Sequence, residues 1–386
     1  MKLIANETIF YRSPDPAGLY CYTPWIDHGF NGRLVASFDI AGKSLCNEAG
    51  PKSKHGDYGA NQLRIYVSDD NGFTWRETGR LPMLHARVFT AGNAMYALGH
   101  GGDLLIARSD DNGETWGEAV CLDNSPFWHQ GAGSYERLNG KIYITMEMTP
   151  RTDIFAGGGG DPILMCAKET DDLTKRENWT FSNRLRYAET ASRYPVPGNG
   201  KFTYWLESSV VLQRNPDSIF SGELLIYLRV QHPEFPDTAI LLRGREHADG
   251  SLTVETISDQ LFYIPFPGGF MKFHILWDEP SKRYWLIASR SRVTTFMKAE
   301  TTPRDILWFN ERRKLELFSS ENGFDWCSAG VVAYGETELE SRHYASIVIT
   351  GDDMLVLSRS GDKEAVNTHD TDMITLHRIK NFRDLA

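Results

Sequence analysis

Long hydrophobic runs are missing from this sequence. No stretch approaches the ~20 apolar residues that a membrane helix needs, and Met1-Lys2-Leu3-Ile4-Ala5-Asn6 is too short an apolar start for a signal peptide. The expected class is a soluble protein with no membrane partner: cytoplasmic as the chain stands, secreted or periplasmic if a leader has been removed. Cysteine is scarce. Cys21, Cys46, Cys121, Cys166 and Cys327 are odd in number and scattered, with no C-x-x-C, which argues against a disulfide framework or a structural zinc site. Clustered basic residues are also lacking. With 41 Lys+Arg against 51 Asp+Glu and a formal charge of −10, nothing offers a phosphate backbone the counterion release that tight binding requires, so nucleic acid is excluded as a partner. There is no Pro/Ser-rich linker either, so 386 residues, enough for two or three domains, read as a single domain over 1–386.

Helix signals are few, and what fills the chain is short β-type runs between Gly, Asn and Asp turns. Leu63-Arg64-Ile65-Tyr66-Val67, Lys141-Ile142-Tyr143-Ile144-Thr145, Leu224-Leu225-Ile226-Tyr227-Leu228 and Met354-Leu355-Val356-Leu357 are examples. The expectation is an all-β fold, with the tetraglycine Gly157 to Gly160 at a loop tip. One octapeptide recurs. Ser68-Asp69-Asp70-Asn71-Gly72-Phe73-Thr74-Trp75 returns 41 residues later as Ser109-Asp110-Asp111-Asn112-Gly113-Glu114-Thr115-Trp116, and in degraded form as Ser319-Ser320-Glu321-Asn322-Gly323-Phe324-Asp325-Trp326. Each copy follows a strand-like run, which places it at a hairpin turn. The Asp accepts turn N–H groups, the Gly supplies positive φ and the Trp covers the hairpin.

These octapeptides resemble the Asp boxes (BNR repeats, S-x-D-x-G-x-T-W) of the sialidase, or neuraminidase, superfamily. The resemblance implies a β-propeller of four-stranded antiparallel blades. Six blades fit, at about 18–80, 85–122, 132–185, 205–260, 268–330 and 342–380, with the strand near Glu7 to Arg12 closing the ring on the last blade. A seven-bladed ring fits the arithmetic as well.

Further stretches resemble sialidase signatures. Trp205-Leu206-Glu207-Ser208-Ser209 followed by Gly222 to Arg229 is similar to the segment in which a Glu opens one strand and an Arg closes the next. That likeness assigns Glu207 as the base assisting a nucleophile and Arg229 as a carboxylate-binding arginine. Arg342-His343-Tyr344-Ala345-Ser346 resembles the strand start carrying the catalytic tyrosine, Tyr344. A phenol suits this chemistry, because an anionic nucleophile would be repelled by the carboxylate on a sialoside's anomeric carbon. Asn310-Glu311-Arg312-Arg313 resembles the segment of the third arginine, and strand alternation sends Arg312 and Arg313 to opposite faces, so only one of them serves. His55-Gly56-Asp57 lies where the family places its acid/base aspartate, which makes Asp57 a candidate acid and His55 a candidate substrate contact. The departure is at Cys21-Tyr22-Thr23-Pro24-Trp25, where Tyr22 stands in place of the family's first arginine. A hydroxyl does not reproduce a guanidinium fork.

Histidines offer a competing chemistry. His85, His100, His129, His343 and His369 all fall near strand ends or turns, and His129 lies in the loop Trp128-His129-Gln130-Gly131-Ala132-Gly133. Propellers related by fold include uronate-directed polysaccharide lyases and rhamnosidases, which implies a base and a neutralising cation that His129, Tyr344 and Arg229 would supply. The expected function is therefore an exo-acting glycoside hydrolase on a terminal acidic or sialic-acid-like sugar. A uronate lyase or rhamnosidase is the alternative, a non-catalytic carbohydrate-binding propeller the second alternative, and an oligosaccharide or polysaccharide the partner in each. No cofactor is expected. Asp370 and Asp372 with His369 give too few donors for calcium, so no metal is assigned.

Overall fold

The computed structural model describes residues 2–149, 160–187, 189–190, 204–231, 236–259, 261–291, 311–337 and 339–386. Within them the chain is an all-β propeller. Blade one is built on Leu34–Ala41, Asn61–Ser68 and Arg76–Leu81, with Tyr20–Cys21 and Trp25–His28 on its inner side. Blade two runs from Leu84–Ala91 to Val120–His129, and blade three from Glu136–Leu138 to Trp179–Phe181. These two share one continuous sheet, because Trp128 and His129 pair with Met148 and Glu147 across the blade boundary. Blade four begins at Tyr204–Leu212 and blade five at His274–Asp278. Blade six comprises Ser341–Thr350, Asp353–Gly361 and Met373–Ile379, with Asn6–Arg12 as its outer strand. That last pairing, Asn6 opposite Arg378 through Arg12 opposite Met373, closes the ring with the chain's own start.

The core shows why six units close. Alternating strand residues point to the two faces of each blade, and each face packs on the next blade. Six large apolar clusters result among the described residues, one at each blade boundary. Phe38 and Ile40 meet Leu355 and Ile374 between blades one and six, Ile65 and Val67 meet Val88 and Ala97 between one and two, and Ile144 and Met165 meet Leu98 and Ile106 between two and three. The remaining three join blades three to four, four to five and five to six. The tetraglycine tip falls at Gly157 to Gly159 outside the described residues, and Gly160 approaches Glu147 so closely that a Cβ would sit 2.5 Å from its carboxyl carbon.

The repeated octapeptides form turns between the third and fourth strands of their blades. Asp70 accepts the Thr74 N–H at 2.8 Å and its hydroxyl at 2.6 Å, while Ser68 Oγ accepts the Gly72 N–H at 2.9 Å; Asp111, Thr115, Ser109 and Gly113 repeat the pattern. The tryptophans bridge to the preceding blade, Trp75 against Phe10 and Trp116 against Gly79. In the degraded copy the side-chain roles move by one position. Ser320 and Asn322, rather than Ser319 and Glu321, bond the Gly323 and Asp325 N–H groups, because this turn is one residue shorter.

These bonds hold Asp70 and Asp111 down to a pKa of about 2, chiefly through the Thr hydroxyls. A carboxylate whose folded pKa lies below its unfolded value of about 3.9 contributes stability above that value and loses it as pH falls toward 2. A D70N/D111N double variant is therefore expected to show a shallower fall of stability between pH 4 and 2. Urea unfolding across that range measures it.

Candidate functional site

Three inner strands share an irregularity. Blades two, four and six each begin with a bulge, seen as register breaks between Leu84 and Arg87, Leu206 and Ser209, and His343 and Ser346. The residue after the first member of each pair is left-handed: His85 at φ 53°, Glu207 at φ 56° and Tyr344 at φ 53°. Non-glycine residues hold this conformation at a cost of about 1–3 kcal/mol each, and bulges re-aim side chains. Alternate blades thus carry His85, Glu207 and Tyr344 at equivalent places near the ring axis, at the mouth opposite the repeated turns.

Glu207 and Tyr344 meet there. The Tyr344 hydroxyl donates to Glu207 Oε1 at 2.7 Å, and Arg229 Nη1 bonds both the other Glu207 oxygen and the Tyr344 oxygen, the latter at 2.7 Å. All three are buried. Burial pushes the Tyr344 hydroxyl well above its ordinary pKa. Burial would raise Glu207 too, but Arg229, the Tyr344 bond and His129 outweigh it and hold the carboxyl below the usual range. The proton therefore rests on Tyr344.

Cations surround the Tyr344 ring. The guanidinium carbons of Arg229, Arg312 and Arg359 lie 5.7, 5.6 and 5.4 Å from its centroid. Arg312 also bonds His343 Nδ1 at 3.1 Å. Arg313 points away, donating to the Gly335 and Glu336 carbonyls and covering Tyr334. Arg359 is the residue that motif reading missed. It lies on Asp353–Gly361, the strand beside Tyr344, 2% exposed, with Nε unpartnered, one Nη bonded to the His369 carbonyl and its guanidinium carbon 4.3 Å from the Tyr22 ring centroid. A guanidinium thus sits against the residue that replaces the expected arginine. Tyr22 itself donates to Asp370 at 2.7 Å, as does Tyr58. Asp370 also accepts from Asn367, and Asp372 pairs with Arg12.

Asp57 sits apart from the Tyr344–Glu207 pair. It bonds Asn61 and faces Asp39 and His85, with one ligand-type atom of each of the three within 4.8 Å of the others. Burial pushes Asp39 up to about 7 and His85 down to about 4. His55 lies exposed against Gly102, and among the described residues no bond or ring contact joins it to the pair. His129 faces Glu147 across the blade junction, its Nδ1 2.6 Å from Oε1, while Glu147 Oε2 accepts the Glu207 N–H at 2.7 Å. Burial lowers the His129 pKa and Glu147 more than offsets it, leaving His129 raised. Glu147, fully buried in Lys141–Met148, is a second residue that motif reading missed; a carboxylate among Ile142, Ile144, Met146 and Met148 is its only signal.

Glycine makes the approach possible. A Cβ on Gly131 would lie 2.8 Å from Glu207 Oε1, and one on Gly133 2.7 Å from the Ser208 carbonyl. G131A is expected to displace the Glu207 carboxylate and cost about 1–3 kcal/mol of stability, as overpacking does. Thermal melts of the variant beside the wild-type chain check it.

No protein-family model and no curated protein sequence matches the chain. Solved structures match it in fold. A Dyadobacter fermentans protein of unknown function aligns with TM-score 0.60 at 14% identity over 97% of each chain. Trypanosoma rangeli sialidase aligns with TM-score 0.59 at 13% identity, covering 100% of this chain and 61% of that one. A Penicillium chrysogenum α-L-arabinanase gives 0.55 at 12%, with 98% of each chain covered. The shared property is the β-propeller. No helix among the described residues is long and apolar enough to cross a membrane.

Proposed function

We propose that the chain is an exo-acting glycoside hydrolase that removes a terminal acidic, sialic-acid-like sugar from a glycan. The observation that carries this reading is the Tyr344–Glu207 hydrogen bond of 2.7 Å beneath three guanidiniums. A phenol with a carboxylate base is the nucleophile that a carboxylated anomeric centre demands, and clustered arginines would hold that carboxylate. The sialidase and arabinanase on the same fold add support of the same coarse kind.

The resting geometry suggests how the nucleophile is switched on. Arg229 is shared between Glu207 and Tyr344 and keeps the carboxylate weakly basic. A substrate carboxylate competing for Arg229, Arg312 and Arg359 would dilute that hold and let Glu207 accept the phenolic proton. Tyr344 Oη then bonds the anomeric carbon as the glycosidic oxygen leaves with a proton from Asp57, and water, deprotonated by Asp57, releases the sugar and returns the proton to Tyr344 through Glu207. Two displacements give net retention of configuration.

The test is an array of acidic oligosaccharides with mass analysis of products. Release of an intact terminal sugar supports the hydrolase. An unsaturated uronate would instead support a lyase using His129 and Tyr344, for which the His129–Glu147 pair at 2.6 Å is the specific observation. Binding without any product would identify a lectin.

A further inference from the structure

Beside the Tyr344–Glu207 pair lies a second constellation that the proposed hydrolysis does not use. His85, His100 and His129 each present one ring nitrogen within 4.8 Å of the others. Their centroids are 5.3 to 5.7 Å apart, in edge-on and tilted arrangements rather than stacked ones. His100 is 4% exposed, and its Nε2 has no hydrogen-bond partner. His85 Nδ1 is likewise buried and unpartnered. His129 has Nδ1 committed to Glu147 at 2.6 Å, which leaves Nε2 as its available nitrogen. A buried imidazole nitrogen without a partner carries an unmet desolvation cost, and two converging on a third call for a shared ligand.

We propose that His85, His100 and His129 form a tri-histidine site for a divalent first-row transition metal, of which zinc is the working representative. The donor set suits such an ion, since neutral imidazoles are preferred by zinc, copper, nickel and iron and disfavoured by calcium and magnesium. Zinc–nitrogen bonds of about 2.0–2.1 Å place tetrahedral ligands about 3.3 Å apart, a contraction that side-chain rotation supplies. His129 already has the carboxylate behind it that metal-bound histidines commonly have, with Glu147 fixing the ring and its donor atom. Glu147 gives the site a consequence, because its second oxygen accepts the Glu207 N–H. Metal at the histidines thus braces the strained residue that bears the candidate base. The proposal stands independently of which glycan is cleaved.

The experiment uses the full chain, stripped with chelator and titrated with zinc chloride by calorimetry, with metal content by mass spectrometry and cobalt(II) as a spectroscopic probe. One zinc per chain, a saturable rise in Tm, and visible cobalt bands of a low-coordinate nitrogen site are expected. H100A should weaken zinc binding by at least about 100-fold and E147Q by about 10- to 100-fold, whereas removing the exposed imidazole with H247A should leave it unchanged. If H100A does not fold, the cobalt spectrum of the wild-type chain decides. Substoichiometric zinc without a Tm shift, cobalt bands of a hexaaqua ion, or equal affinity in a folded H100A would each overturn the site.

Discussion

Y344F is expected to reduce kcat/KM on its best acidic substrate by at least about 1,000-fold, roughly 4 kcal/mol at 1.36 kcal/mol per decade. The change deletes one oxygen, and with it the nucleophile and the 2.7 Å bond to Glu207. The Glu207–Arg229 ion pair survives, as does the cation–π packing around the ring, so the fold should be kept. Steady-state kinetics with a thermal melt separate loss of chemistry from loss of structure. E207Q should give a similar kinetic loss with more destabilisation, because it leaves the buried Arg229 without its countercharge. Full activity in a folded Y344F would contradict the assignment of the nucleophile.

The second large effect concerns Arg359. R359L is expected to cost at least about 100-fold in kcat/KM for carboxylated sugars while raising Tm. The two halves have one cause. Arg359 is buried with no carboxylate at ion-pair distance among the described residues; it touches the Tyr22 and Tyr344 rings and the His369 carbonyl, and Asp39 acts on it only from further off. A buried charge so poorly compensated costs stability, and apolar replacements of buried ionic groups are often neutral or stabilising by about 1–4 kcal/mol. A residue retained at such a cost is best explained by an anion that arrives later. R359K should recover little activity, since an ammonium lacks the planar fork. If R359L loses stability and keeps full activity, Arg359 is a structural group and the carboxylate is held without it.

The parts of this molecule legible in the sequence are those whose chemistry is contiguous. The octapeptide satisfies its own turn within eight residues, so Ser68 to Trp75 announces a hairpin without any partner, and its recurrence carries the resemblance that implies a ring. Glu207 and Tyr344 stand together as the resemblance implies, because each sits at a bulge near the start of an inner strand. Arg312 against Arg313 was undecidable because alternation fixes that they diverge and not which one faces inward; the Gly335 and Glu336 carbonyls, which capture Arg313, settle the geometry. Arg359 was invisible because its meaning comes from Tyr22, at the other end of the chain, brought next to it by ring closure. Glu147 and the histidine trio depend likewise on two blades merging into one sheet. The charge of −10 takes on a sharper meaning beside them, since the acidic substrate proposed above would have to find a few buried arginines at one mouth of a surface that otherwise repels it.

The central claim, a tyrosine nucleophile acting on an acidic terminal sugar, is tested most directly by trapping. The protein is incubated with a fluorinated, activated analogue of whichever acidic sugar the array shows to be released, then digested and mapped by mass spectrometry. One adduct per chain is expected on the peptide bearing Tyr344, absent in Y344F and decaying as activity returns. An adduct on Glu207 or another carboxylate, or turnover of the parent glycoside with no label on Tyr344, would contradict it.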